Sequence, residues 1–325
     1  MERKNALMVF VMYSILTLGV FTPFITFEQA FASDVLWGID RDSATISHLS
    51  PFDGSVISSA TIPCFLTPNA PCDIVEKATG LAADPTTGTF YALLKVEHFD
   101  TRVLVTIVPS TGIATFVGDT GDKFAGIAFL ADGTLRSVTG DQANNPPANA
   151  ESYYTLSKTT GLPTLVCALG NGNAGEEIAF NPSDGLVWHA SGWIGGGDDR
   201  ILETIDDNVC NVTDVPLSGT LHAEATGMTY STAEGLFLVS DINANFFSIT
   251  DTGVETQRGF YSFVSGDPVY GGLAFNVDPI AVGGTYIPID QSALLLAGAQ
   301  SISMWMIPVI LAGIGIGVFV IKRRK

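Results

Sequence analysis

Cations are scarce in this chain of 325 residues: 15 lysines and arginines stand against 33 aspartates and glutamates, a formal net charge of −18. Four of those cations are Lys322, Arg323, Arg324 and Lys325 at the very end, so the part before them is more acidic still. Such a surface repels phosphate, which excludes a nucleic-acid reader. Its ordinary use is solubility, with cation binding or a charged envelope environment as the functional alternative. Histidine is also sparse. His48, His98, His189 and His222 are the whole set, none paired at ligand spacing, which argues against a zinc or copper catalytic centre. There is no C-x-x-C pair, G-x-S-x-G elbow, phosphate loop or dinucleotide fingerprint. Between residues 34 and 277 no stretch carries helical periodicity.

Hydrophobic residues make up 46% of the chain, enough for one domain of the larger all-β type with apolar ends. The N-terminal segment, residues 1–32, reads as a signal peptide: Arg3 and Lys4, an apolar run from Ala6 to Phe27, then Ala30-Phe31-Ala32 as a cleavage site. An uncut signal anchor is the competing reading, and it too places residue 33 onward outside the cell. At the other end the 18 residues from Met304 to Ile321 carry no charge and would span roughly 27 Å as a helix, close to the hydrocarbon thickness. The basic tail, residues 322–325, holds the C-terminus inside. The expected order is therefore signal peptide, ectodomain over 33–277, membrane-proximal linker over 278–303, transmembrane helix over 304–321 and tail. The location this implies is the cell membrane, single-pass, with the ectodomain extracellular.

Cys64, Cys72, Cys167 and Cys210 all fall in the exported part, where oxidation is expected. Four cysteines allow three pairings. The pairing expected is Cys64–Cys72, clipping a short Pro-rich loop, and Cys167–Cys210, joining neighbouring repeats. Asn211-Val212-Thr213 is the one glycosylation sequon, since Asn181 is followed by Pro182.

Internal self-similarity is the most informative signal. Gly80-Leu81-Ala82-Ala83, Gly126-Ile127-Ala128-Phe129, Glu177-Ile178-Ala179-Phe180, Gly227-Met228-Thr229-Tyr230 and Gly272-Leu273-Ala274-Phe275 recur at intervals of about fifty residues. That spacing is close to one four-stranded propeller blade. Each anchor leads through a turn such as Asp84-Pro85-Thr86-Thr87-Gly88 or Asn181-Pro182-Ser183-Asp184-Gly185 into a second β-branched, aromatic strand. The last unit stops at Phe275 after one strand. The missing three are read at Val35 to Asp40, Ala44 to Leu49 and Ser55 to Ala60. The fold expected is an all-β propeller of five four-stranded blades, its ring closed by the N-terminal strands, with one C-terminal transmembrane helix. Six blades, with the Cys64 to Cys72 region counted separately, is the main rival.

The repeats resemble extracellular propellers of archaeal and bacterial type, on the strength of Thr106-Ile107-Val108-Pro109-Ser110-Thr111-Gly112 followed by Val117-Gly118-Asp119-Thr120-Gly121. Val282-Gly283-Gly284-Thr285-Tyr286-Ile287-Pro288-Ile289-Asp290, with Trp305-Met306-Ile307-Pro308, resembles the anchoring segment of surface proteins of ammonia-oxidising archaea (Thaumarchaeota). That resemblance implies an archaeal envelope location. It implies no activity.

In a propeller the loops leaving fourth strands and those joining second to third strands share one face, which sets the shortlist. The ligand-binding face is expected to carry Trp193, Asp198, Asp199, His222, Asp122 and Asp241. Glu177 stands where the other anchors have glycine, and Glu224 lies one blade away. The two could hold Ca²⁺ with Asp198, or act as an acid and base pair. Against each stands a plainer role: a strand-end cap for Glu177, a loop tip for Asp198 and Asp199 after Gly195-Gly196-Gly197. Trp37 and Trp188 sit in strand patterns as core, leaving Trp193 as the exposed aromatic. No cofactor is required on this reading. The leading expectation is a non-catalytic surface module for a glycan, an envelope protein or a cation, and the alternative is an extracellular hydrolase or lyase using Glu177 and Glu224.

Overall fold

A computed structural model of the chain describes residues 35–139, 152–169, 176–193, 198–218, 224–260 and 268–276, with backbone alone for 193, 198–200 and 260. The signal peptide, linker, transmembrane helix and tail expected from the sequence lie outside the described residues. β1 (Leu36–Asp40), β2 (Thr45–Leu49) and β3 (Val56–Thr61) come first. Then follow β4 (Val75–Ala83), β5 (Phe90–Val96), β6 (Val103–Val108) and β7 (Ile113–Asp119). The next four are β8 (Phe124–Phe129), β9 (Leu135–Thr139), β10 (Ser152–Leu156) and β11 (Pro163–Ala168). After them come β12 (Glu177–Asn181), β13 (Leu186–Trp193), β14 (Asp198–Asp206) and β15 (Asn211–Asp214), then β16 (Ala225–Ser231), β17 (Leu236–Asp241), β18 (Asn245–Ile249) and β19 (Glu255–Phe260). β20 (Tyr270–Phe275) runs antiparallel beside β1, Leu36 opposite Phe275, and completes a sheet ordered β20-β1-β2-β3.

The five sheets have four strands each, and the innermost strands β20, β4, β8, β12 and β16 neighbour one another in a closed ring. This is a five-bladed propeller closed by the N-terminal strands, as the truncated last repeat predicts. The six-bladed rival fails because the Cys64 to Cys72 region forms only an isolated bridge, Phe65 to Asp73, inside the connection from β3 to β4. The Cys64–Cys72 disulfide clips that connection, and Asp73 is buried beneath it, accepting from Thr67 Oγ1 at 3.0 Å.

Strand pleating explains the core. Successive side chains face opposite sides of a sheet, so each blade feeds two junctions at once. Tyr153 packs with Ile178 and Val187 of the following blade, while Tyr154, its neighbour in β10, packs with Leu93 and Leu104 of the preceding one. Five apolar clusters result, one per junction between blades. The turns from first to second strands are closed by side chains of the predicted types: Asp84 Oδ1 accepts from Thr86 N at 2.8 Å, and Asn181 Oδ1 from Ser183 N at 2.8 Å.

The anchor glycines owe their place to close approach. A Cβ on Gly272 would overlap the backbone at Gly80 and Leu81, and one on Gly126 would lie 2.8 Å from Glu176 O. A second glycine series sits at the turns from third to fourth strands. Gly54, Gly112, Gly161 and Gly253 adopt φ of 72°, 72°, 73° and 77°. The equivalent residue in the remaining blade is Cys210, at φ 52°. Its N–H returns to Asp206 O at 2.8 Å as that of Gly112 returns to Val108 O at 2.8 Å. Gly161 packs on Gly118 of the preceding blade's outer strand, and Cys210 is disulfide-bonded to Cys167 on β11. Gly118, Cys167 and Gly259 each lie opposite a third-strand residue (Leu104, Tyr153, Phe246) at a register shift. Both cysteines therefore occupy glycine positions of the repeat.

Candidate functional site

The ring offers two places where chemistry could occur, one at each end of the inner strands. At the starting end, β12 is preceded by Glu176 and opens on Glu177, and both are buried. His189 on β13 lies opposite Glu203 on β14, so pleating sends both side chains to one face. His189 Nδ1 donates to Glu203 Oε1 at 2.8 Å, and Nε2 donates to Glu176 Oε2 at 2.5 Å. Ser191 Oγ donates to Glu176 Oε1 at 2.8 Å. His189 and Glu203 are 0% exposed. Burial alone pulls the imidazole down, but the two carboxylates, Glu176 first, outweigh it and carry its pKa up to about 9. Glu203 Oε2 has no hydrogen-bond partner. At Glu177, burial, reinforced by the neighbouring Glu176 charge, raises the carboxyl well above the ordinary range.

The shortlist from the sequence can now be placed. Glu177 and Glu224 do lie at the start of neighbouring inner strands, but Glu177 is only 4% exposed, with its Oε2 3.0 Å from where a Cβ on Gly126 would stand. Gly126 makes room for it. Glu224 is half-buried, and its carbonyl accepts from Ile242 N at 2.9 Å. Asp122 and Asp241, expected on a ligand-binding face, are both 0% exposed. Asp241 holds its own turn, accepting from Asn243 N, Asn245 N and Asn245 Nδ2 at 2.8–2.9 Å. Asp122 Oδ1 accepts from Lys123 N at 2.7 Å, and its carbonyl from Arg102 N at 3.0 Å. Trp193 and Asp198 face each other in the register of β13 and β14. His222 lies outside the described residues, as do the side chains of Trp193, Asp198 and Asp199. Among the described residues no three histidine, cysteine or acidic side chains are grouped as metal ligands, so the Ca²⁺ reading gains no support there.

The buried Glu176–His189–Glu203 group escaped the sequence reading, which looked for histidines near other histidines. Its only signal was spacing: once the hairpin registers are known, residues 176, 189 and 203 fall on neighbouring strands.

At the other end of the inner strands is a cavity of about 490 Å³. Each blade contributes the corresponding stretch of its anchor: Leu81 to Ala83, Ile127 to Phe129, Ile178 to Phe180, Met228 to Tyr230 and Leu273 to Phe275. Its wall is apolar except on one side, where β16 and its turn bring Thr229, Tyr230 and Thr232. Tyr230 Oη lies 3.3 Å from Ser183 Oγ of the adjacent blade.

No known protein family matches the sequence, and no curated protein matches it. Among solved structures, the chain is similar to the PQQ-bound aldose sugar dehydrogenase of Streptomyces coelicolor at 15% identity and a TM-score of 0.42, over 67% of this chain and 75% of that one. A likeness at that level carries nothing about cofactor or activity.

Proposed function

We propose that the chain is a membrane-anchored, cell-surface binding module of an archaeal envelope, its propeller held outside the cell by the apolar segment over 304–321. The observation that supports binding is the cavity at the end of the inner strands. Its 490 Å³ falls within the range of small-molecule sites, and its composition, apolar walls with a few hydroxyls on one side, is that of such a site. It suits a compact apolar body with one polar edge better than a hydrated cation or a bare sugar. An envelope glycan or surface protein remains the partner proposed for the opposite face, with Trp193, Asp198, Asp199 and His222 as the residues to test there. The test of the cavity is fluorescence titration with 2-naphthol, a neutral aromatic carrying one hydroxyl. Saturable binding is expected, lost in Ala131→Trp, whose parent residue lines the mouth and is exposed. Unchanged binding in that variant would move the ligand elsewhere.

The hydrolase or lyase reading through Glu177 and Glu224 takes second place. A carboxyl with a raised pKa suits a general acid, yet at 4% exposure Glu177 is withheld from solvent.

A further inference from the structure

Five cations of the described residues have a carboxylate partner: Lys77 with Asp42, Lys95 with Glu76, Arg136 with Asp207, Lys158 with Asp84 and Arg258 with Glu234. Among the described residues the exposed Lys123 has none, and neither do Arg41 and Arg102, although acids outnumber bases 33 to 15 in the chain. Both are half-buried, and Arg102 Nε is buried with no hydrogen-bond partner. They lie in second-to-third-strand loops of adjacent blades: Arg41 meets β4 at Ala78, which pairs with Leu94 of β5, and Leu94 pairs with Val103, the residue after Arg102. The backbone of each is fixed. Arg41 N donates to Val269 O at 2.6 Å, and Arg41 O accepts from Ala78 N of β4 at 3.0 Å. Arg102 N donates to Asp122 O at 3.0 Å, and Thr120 Oγ1 donates to Arg102 O at 2.7 Å.

The nearby acids are engaged elsewhere: Asp40 Oδ1 accepts from Asp42 N and Ser43 N, and Asp119 Oδ1 from Thr101 Oγ1 and Gly121 N. Burial first, and then the like charge of Arg41, lowers the pKa of Arg102. A guanidinium withdrawn from water in the field of a second one, with no carboxylate partner among the described residues, is a cost to the fold, and an incoming anion would remove it.

We propose that Arg41 and Arg102 form an oxyanion site on the face of the ring where the inner strands begin, taking the carboxylate or phosphate group of a small ligand. The planar donor fork of arginine matches either group with paired hydrogen bonds. A polyanion is disfavoured, because its further charges would meet the acidic remainder of the surface, whereas a single group is shielded from it beyond about 8 Å by physiological salt. The site is independent of the apolar cavity and stands or falls without it.

The test is calorimetric titration of the full-length chain in detergent with inorganic phosphate, with D-glucuronate and with neutral glucose at matched ionic strength. Saturable binding of phosphate or glucuronate is expected at a dissociation constant no weaker than about 10 mM, without binding of glucose. Preference between the two anions distinguishes a phosphorylated ligand from an acidic sugar. Arg41→Gln and Arg102→Gln should each weaken binding at least about tenfold. Arg102→Gln should also unfold at a temperature no lower than the parent, because it removes an uncompensated charge. Absence of saturable binding, full retention in both variants, or a markedly lower unfolding temperature for Arg102→Gln would overturn the proposal, the last by making the guanidinium a structural group.

Discussion

Cys210 shows how one residue can change role without changing conformation. Its φ of 52° and its turn hydrogen bond are those of the glycines in the other blades, and its side chain uses the glycine contact with the preceding blade to form a covalent seam. Breaking the bond that closes 43 residues should cost about 4 kcal/mol by the loop-entropy account. Because both cysteines stand at glycine positions, Cys167→Gly with Cys210→Gly should lose less than Cys167→Ser with Cys210→Ser, by about 1 kcal/mol for the left-handed backbone alone. Denaturant unfolding of the two double variants measures the difference. At the buried cluster, the pKa of His189 is raised to about 9, so its contribution to stability is fully present below about pH 6.5 and is lost as pH rises through 9. Glu177, also raised, acts with the same sign. Unfolding midpoints should therefore fall between pH 6.5 and 9, and the slope there should flatten in His189→Gln, while Glu177→Gln should flatten the fall that sets in above the ordinary glutamate range.

At the scale of the element, the inner strands are a compromise between packing and proximity. Their anchors are apolar enough to fill the junctions, yet they need glycine where one strand's backbone meets the next. Gly272→Ala puts a Cβ into the backbone at Leu81 and should cost about 1–3 kcal/mol as an overpacking change. Gly185, in a turn with nothing within 4 Å, tests the other use of glycine. Its replacement by alanine meets only the φ of 77° and should cost about 1–2 kcal/mol. Thermal unfolding of the two variants separates a steric from a conformational penalty.

For the whole molecule, closure matters most. β20 and β1 bring the two ends of the described chain into one blade, and Leu273 of β20, 1% exposed, packs in the cluster shared with the preceding blade. Leu273→Ala should cost about 2–5 kcal/mol. The ring has no free end from which to fray, so far-ultraviolet dichroism and tryptophan fluorescence should report the loss as one shared transition. Separate transitions would mean that blades unfold independently.

The architecture was legible because the repeat is local. Each anchor, turn and second strand announces itself within about fifteen residues, the anchors recur at blade spacing, and the last repeat is visibly incomplete. Both disulfides followed from an even cysteine count and the neighbourhood of repeats. The site was legible in position and not in exposure. Glu177, Asp122 and Asp241 stand at the ends of strands where they were expected, but whether a strand-end acid reaches water depends on the blade beside it. Gly126 makes room for Glu177, Asn243 and Asn245 use up Asp241, and His189 claims Glu176. The cavity and the unpaired guanidiniums lie further from sequence reasoning. The first needs five stretches about fifty residues apart to meet around one axis, and the second is visible only once Arg136 and Arg258 have found their carboxylates and Arg41 and Arg102 have not. Chain order determines which strands exist and how they pair. Burial, charge and empty space belong to neighbours that only the closed ring brings together.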